Sequence, residues 1–350
     1  MELNESLKIL CGLSAVTGRE KGTASQIAAL FAPLCDEVRT DAFGNVYATS
    51  RGEGENPRTV LITAHYDEIG LVVTGIEETG FLRFAAMGGI DAKTLPAQEL
   101  TVFGREPLYG VIGAKPPHLV SAEEMEKVLP IEDLRIDIGF SGEEAKKRVR
   151  IGDVAGFRFP VVEMKNNRMA CKGMDNRSGV AALLEILKLL KGLRHDDHVI
   201  VAATVQEEVG LRGATAAAFS AIPDLGIVID VCHGDMPDAP IEDQFPLGKG
   251  VAVAIGPIVH TARTKEIIEV AKRERIPYQL DPEPGSTGTE AAALQVAREG
   301  IPTILLSIPC RYMHSTVETI SLDDVKGTAQ LAARYIAEGP WKEKEGGKTC

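Results

Sequence analysis

Five short apolar runs rich in β-branched residues constrain this chain most: Thr59–Ala64 (TVLITA), Val199–Val205 (VIVAATV), Leu225–Val231 (LGIVIDV), Gly250–Ile255 (GVAVAI) and Thr303–Ile308 (TILLSI). Runs of this kind are strands buried on both faces. Helical periodicity separates them, at Ser178–Leu190, Ala214–Ser220, Thr264–Arg275, Thr289–Arg298 and Leu322–Glu338. Two further helices, Leu3–Leu13 and Lys21–Leu34, and a strand at Asn45–Thr49 open the chain. Strands alternating with helices predict an α/β fold with a mostly parallel sheet covered by helices on both faces.

Residues 69–162 break this rhythm. Helical periodicity nearly vanishes there, and Gly and Pro punctuate short alternating segments such as LTVFG, LYGVIGA and LRIDIGF. We read them as a β-rich domain inserted into a catalytic domain made of residues 1–68 and 163–350. A chain of 350 residues is long enough for both.

Composition excludes several partners. A net charge of -12 and only 5% aromatic residues leave little with which to bind phosphates or stack bases. No apolar run reaches the roughly 18 residues of a membrane span, so neither nucleic acid nor membrane is expected. The first twenty residues read as a helix rather than a secretory signal. The cysteines, Cys11, Cys35, Cys171, Cys232, Cys310 and Cys350, are scattered without a Cys-x-x-Cys pair, as expected of reduced thiols in a cytoplasmic protein. The charged, Gly-containing tail Lys342–Cys350 is expected to be disordered.

Chemistry collects at the carboxyl ends of the strands, where open α/β sheets bind ligands. TVLITA leads into His65-Tyr66-Asp67-Glu68, VIVAATV into Gln206-Glu207-Glu208, and TILLSI into Arg311-Tyr312-Met313-His314, while LGIVIDV carries Asp230. Imidazole and carboxylate suit borderline divalent ions. Asp175, in Gly-Met-Asp-Asn-Arg, is the candidate carboxylate to bridge two ions, although it could instead cap the helix that follows. Of Glu207 and Glu208, one can serve as ligand and the other as base, because neighbours on an extended segment point apart. Asp67 is spaced to accept the second ring N–H of a ligand His65.

Other polar clusters are set aside. His195 and His198 lie in a charged turn before a strand, at the end opposite the other candidates. Cys232 and Cys310 read as small core residues at apolar strand ends. His118 belongs to the insert, and His260 has no evident companion. The glycine-rich run Gly285–Glu290 lacks a P-loop lysine. No Gly-x-Ser-x-Gly elbow or His-Glu-x-x-His helix occurs, which disfavours α/β serine hydrolases and thermolysin-like proteases.

The ordered motifs Ala64-His65-Tyr66-Asp67-Glu68-Ile69-Gly70, Asp175-Asn176-Arg177, Gln206-Glu207-Glu208-Val209-Gly210, Ile229-Asp230-Val231 and Arg311-Tyr312-Met313-His314-Ser315 resemble the tetrahedral (TET) aminopeptidases. That family includes glutamyl and deblocking aminopeptidases and some proteins labelled endoglucanase M, and the likeness runs nearly end to end. Gly110-Val111-Ile112-Gly113 and Lys115-Pro116-Pro117-His118 look like its inserted domain. The resemblance implies a phosphorylase/hydrolase-like domain interrupted by a small PDZ-like, dimerisation module. It also implies two divalent ions per subunit, zinc or cobalt ahead of manganese. By the same resemblance Asp175 bridges them, His65 and Asp230 complete one site, and Glu208 and His314 complete the other. Glu207 is then the general base and Asp67 the group that orients His65. A homo-oligomer, up to a dodecamer built from dimers, is implied by analogy. Glu290 departs from the Asp common in relatives, so specificity does not carry over.

The expected activity is removal of N-terminal residues from peptides with a free amine, through a water activated by two ions and deprotonated by Glu207. The alternatives are an N-acyl amino-acid deacylase or carboxypeptidase on the same scaffold. A glycosidase (endoglucanase) would need carboxylates that metals do not engage.

Overall fold

The computed structural model describes residues 1–121, 127–241 and 244–342. The expected disorder of the C-terminal tail therefore falls, from residue 343 on, outside the described residues.

The strands in chain order are β1 (Glu37–Thr40), β2 (Val46–Ser50), β3 (Thr59–His65), β4 (Gly70–Ile76), β5 (Leu82–Met87), β6 (Glu99–Phe103), β7 (Pro107–Gly113), β8 (Arg135–Asp137) and β9 (Val154–Phe157). They continue with β10 (Val162–Met164), β11 (Arg168–Cys171), β12 (His198–Thr204), β13 (Leu225–His233), β14 (Val251–Ile255), β15 (Tyr278–Pro282), β16 (Thr303–Arg311) and β17 (Glu318–Ser321). The main helices are α1 (Leu3–Gly12), α2 (Lys21–Phe31), α3 (Gly142–Arg148), α4 (Met174–Leu190), α5 (Arg212–Ala221), α6 (Thr261–Glu274), α7 (Ala291–Leu294) and α8 (Leu322–Glu338).

Among the described residues eleven strands form one sheet, in the order β1-β2-β12-β3-β13-β16-β17-β11-β10, with β14 also pairing β16 and β15 pairing β14. The expectation of a mostly parallel sheet needs correction. Only β12, β3, β13 and β16 form a parallel block, with β14 and β15 parallel to each other. The pairings of β1, β2, β17, β11 and β10 are antiparallel. Short connections explain the flanks: β1 to β2 and β10 to β11 turn back within a few residues, which suits hairpins but not crossover helices.

β3 shows why these strands read as unbroken apolar runs. Val60, Ile62 and Ala64 face one buried layer, and Leu61 faces the other. The first layer is covered by α1, α2, α4, α6 and α8, through residues such as Leu10, Phe31, Leu183, Val270 and Leu331. The second is thinner. α5 and α7 press against it with Ala214, Ala217, Ala218 and Ala291, small side chains that let those helices lie close to the sheet, and with Leu294. The expected helix over Thr289–Arg298 contracts to the four residues of α7, followed by turns that end at Gly300.

The strands between Gly70 and Phe157 close into a barrel, β4-β5-β8-β7-β6-β9, with its own core around Leu71, Val73, Leu82, Leu100, Val102 and Ile136. Helical periodicity is weak here because each strand shows the barrel only alternate residues.

The parallel block sets the site. Its register places Thr204 beside His65, Thr63 beside Val228, and Asp230 beside Ser307. The chain runs from β3 to β12 on one side and then to β13 on the other, so the crevice lies over β3, at a topological switch point. Buried Asn45 braces this edge. Its side chain accepts the Val205 N–H at 3.0 Å and donates to the Gly213 carbonyl at 3.1 Å and to Asp41 Oδ2 at 2.8 Å. Replacing Asn45→Ala leaves the buried Val205 N–H unpaired and removes the links to Gly213 and Asp41, and urea denaturation is expected to show a loss of about 3 kcal/mol.

Candidate metal centre

Six strand-end and turn residues converge here. His65 closes β3, Asp230 sits late in β13, and Glu207 and Glu208 follow β12. His314 follows β16, and Asp175 opens α4. Nε2 of His65 lies 3.1 Å from Asp175 Oδ1, 3.7 Å from Asp230 Oδ1 and 3.9 Å from Glu207 Oε2. Nε2 of His314 lies 3.4 Å from Asp175 Oδ2 and 3.4 Å from Glu208 Oε2. The two oxygens of Asp175 therefore face two different histidines.

Local structure explains each placement. The regular part of α4 is capped by Asn176, not Asp175: Asn176 Oδ1 accepts the Gly179 N–H at 2.9 Å, and its amide donates to the Ile229 carbonyl at 2.8 Å. Asp175 and Asn176 have non-helical φ/ψ and share a cis peptide bond. The Asp175 carboxylate is thus left to the crevice. Glu207 and Glu208 also differ from expectation, because β12 ends at Thr204 and the pair lies on a turn rather than an extended segment. Gln206 takes a left-handed φ of 54°, and the Asp67 carboxylate gathers both following N–H groups, Glu207 at 3.1 Å and Glu208 at 3.3 Å. Asp67 Oδ1 also lies 3.5 Å from His65 Nδ1. One carboxylate thereby holds a histidine and a turn in mutual register.

Glu318, on β17, had no local mark in the sequence, being one acidic residue in a Thr- and Val-rich stretch. It is buried, and its oxygens accept the Asp175 N–H at 3.1 Å and the His314 N–H at 2.9 Å. Glu290 is fully buried behind β12 and accepts from the Thr204 hydroxyl. It stands behind the site, not in the cavity wall. The barrel also reaches the centre: a Cβ at Gly89 would sit 2.7 Å from His314 Nδ1, so this loop needs glycine to lie against the ring. The polar clusters set aside earlier have structural partners. His195 bonds Ser50 and the Asp197 carbonyl, His198 accepts from the Gly52 N–H, and His260 caps α6. Cys232 is the exception, since it is only half-buried and borders the cavity.

A cavity of about 970 Å³ opens onto the cluster. Its electrostatics are severe. Burial pushes Glu207 up to about 9 and Asp230 up to about 8, helped by neighbouring carboxylates. Burial likewise raises Glu208, Glu290 and Glu318. Burial would lower His65, but Glu207, Asp175, Asp67 and Asp230 outweigh it and hold the ring well above its usual range. Asp175 and Glu208 hold His314 up near 11. Burial opposes ionisation of Asp175 as well, yet hydrogen bonds from the two histidines draw it well below the usual carboxylate range. No lysine or arginine lines the cavity among the described residues. Carboxylates crowded around two imidazoles, with no lysine or arginine among them, fit divalent ions. Three overlapping triads could each hold one: His65, Asp175 and Asp230; Asp175, Glu208 and His314; and His65, Glu207 and Glu208.

Fold and site together define an α/β metallohydrolase. The sequence profile of the M42 glutamyl aminopeptidases matches residues 44–331. The chain is 35% identical over 339 residues to the lysyl aminopeptidase of Pyrococcus furiosus, covering 95% of this chain and 96% of that one. The TET aminopeptidase structure from a marine sediment Thaumarchaeota archaeon superposes with a TM-score of 0.90 at 32% identity, covering 96% of this chain and 98% of that one. The Pyrococcus horikoshii TET1 peptidase, described as assembling into a tetrahedron or a large octahedral shell, gives 0.84 at 34% identity over 96% and 99%. The chain belongs to the M42 glutamyl aminopeptidase family, and it is accordingly a metal-dependent aminopeptidase, a peptide hydrolase.

Two measurements probe this geometry. A glutamine at position 318 has one acceptor oxygen for two N–H groups, so Glu318→Gln is expected to weaken metal binding about 10- to 100-fold in a chelator competition. At pH 7 the raised groups Glu207, Asp230 and His314 carry protons when no metal is bound. Loading should therefore release protons, and affinity should rise with pH through about 8 and 9, where Asp230 and Glu207 lose theirs, and on toward about 11, where His314 does. Calorimetry in buffers of different ionisation enthalpy reads that release, and proton-neutral binding would contradict the assignment.

Proposed function

We propose that the protein removes N-terminal residues from peptides with a free amine, using two divalent ions per subunit. The observation that carries this reading is Asp175, whose two oxygens are directed to different histidines at 3.1 and 3.4 Å. A carboxylate so placed suits a bridge between ions about 3.5–4 Å apart. His65 and Asp230 would complete one position, and Glu208 and His314 the other. Zinc or cobalt suits this nitrogen and oxygen donor set, with manganese a further candidate. The bound ions would supply Lewis-acid polarisation of the scissile carbonyl and a more acidic water.

The protein's own residues do the rest. Glu207 takes a proton from the attacking water and returns it to the leaving amine. Burial and carboxylate neighbours raise its proton affinity, which suits a group that must hold a proton between those two transfers. Asp67 keeps the His65 ring and the Glu207 turn in place and does not itself transfer a proton. A glycosidase would need two carboxylates free of metal, and the four of this cluster, Asp175, Glu207, Glu208 and Asp230, each lie against His65 or His314.

The broader organisation is also part of this proposal. Residues 1–68 and 163–350 would form the catalytic domain, with 69–162 an inserted, PDZ-like module used for dimerisation. A homo-oligomer is supported by the shell-forming TET1 relative, and a dodecamer built from dimers is the assembly we propose. No helix among the described residues is long and apolar enough to cross a membrane. Scattered free thiols support a cytoplasmic setting.

Glu207→Gln is expected to retain both metals, read by elemental analysis, while kcat falls about 10²- to 10⁴-fold. Near-normal turnover in that variant would remove Glu207 from the role of base. Faster cleavage of acetylated than of free aminoacyl substrates would favour a deacylase instead.

A further inference from the structure

The cavity has a second acidic wall, carried by β15 and not by the parallel block. Asp281 and Glu283 line it where the chain leaves β15. Asp281 is only 6% exposed, and among the described residues its carboxylate has no hydrogen-bond or ion-pair partner. Burial and the charge of Glu283 push it up to about 6. Glu283 is half-buried and also raised by burial, with His233 acting against the rise. A nearly buried carboxylate that faces a cavity without a partner is costly unless something brought into the cavity completes it.

The wall is well fixed. β15 runs parallel to β14, with Asp281 beside Ala254, and the Glu283 N–H donates to the Ile255 carbonyl at 2.8 Å. A Cβ at Gly256 would sit 1.9 Å from the Glu283 carbonyl oxygen, so only glycine allows the two chains to come this close. The two carboxylates are therefore displayed on a strand end, not on a free loop.

The surroundings say what would complete them. Neither lysine nor arginine lines the cavity among the described residues, and Arg311 is turned to Asp235 at 3.3 Å. A substrate with an acidic first residue would find carboxylates and no guanidinium or ammonium group. Val231, Phe245 and Leu305 line the same cavity and offer apolar surface. A long side chain with an apolar stem and a cationic head matches that combination.

We propose that Asp281 and Glu283 form the pocket for the side chain of the substrate's first residue and select a cationic one, lysine or arginine. This rests on the aminopeptidase reading above and adds the class of residue removed. The substrate's ammonium or guanidinium head pairs with Asp281 and Glu283. Its methylene stem lies on the apolar wall, and its backbone amine and carbonyl reach the histidine cluster.

The test compares kcat/KM for lysyl- and methionyl-p-nitroanilide, which have side chains of similar length but different charge, on metal-loaded full-length enzyme. The lysyl-to-methionyl ratio is expected to be at least about 10 in the wild type. It should fall about 10- to 100-fold in Asp281→Asn/Glu283→Gln, the range for losing a hydrogen-bonded charge. Glu283→Gln alone, at the half-buried position, should lower the ratio part of the way and guards against misfolding of the double variant. A wild-type ratio near one, a preference for glutamyl-p-nitroanilide, or a ratio that neither variant moves would overturn the proposal. Failure to cleave any of the three substrates would instead overturn the aminopeptidase reading on which it stands.

Discussion

Concentrated negative charge at one edge of the sheet is the constraint on which the structure turns. Asp175, Glu207, Glu208 and Asp230 meet around His65 and His314, with Glu290 and Glu318 buried behind them. Like charges withdrawn from water repel strongly, and each also loses its hydration. Such a group persists in a fold only if cations complete it and if donors hold it in place meanwhile. Backbone N–H groups supply the second condition. Asp67 collects two from the Glu207 turn, and Glu318 collects those of Asp175 and His314. Buried carboxylates thus serve as the mounts of other buried carboxylates and histidines.

The scaffold suits that purpose because its parallel strands end together. β3, β12, β13 and β16 share one register, so residues far apart in the chain arrive at one edge at similar height. The antiparallel flanks do different work. β17 brings Glu318 beneath the cluster, and β14 and β15 extend the wall to Asp281. Selectivity for the first residue would thus be set by a strand pair outside the parallel block that carries the chemistry. The two functions can vary separately.

Legibility along the chain followed how local each determinant is. β3, β13 and β16 were readable because burial on both faces demands an unbroken apolar run, and a His or Asp at the end of such a run stands out. The α4 cap was not readable: Asp175 and Asn176 are both good capping residues, and only the fold shows that Asn176 does the capping. Glu207 and Glu208 were identifiable as a pair, but their turn depends on Asp67, more than a hundred residues earlier. The antiparallel flanks escaped as well, since a short edge strand such as β10 or β17 carries too few residues to declare its partner.

What the sequence by itself determined was the α/β character, the β-rich interruption and the identities of the histidines and carboxylates at the strand ends. These follow from periodicity and from the contrast between apolar runs and the polar residues that stop them, which are properties of neighbours in the chain. Only the tertiary structure decided that Asp175 faces two histidines, that Glu318 supports both halves of the cluster, and that Asp281 looks unpartnered into the cavity. Those depend on distance and burial, and a carboxylate's neighbours in space are set by sheet order and register, which no short stretch of sequence contains.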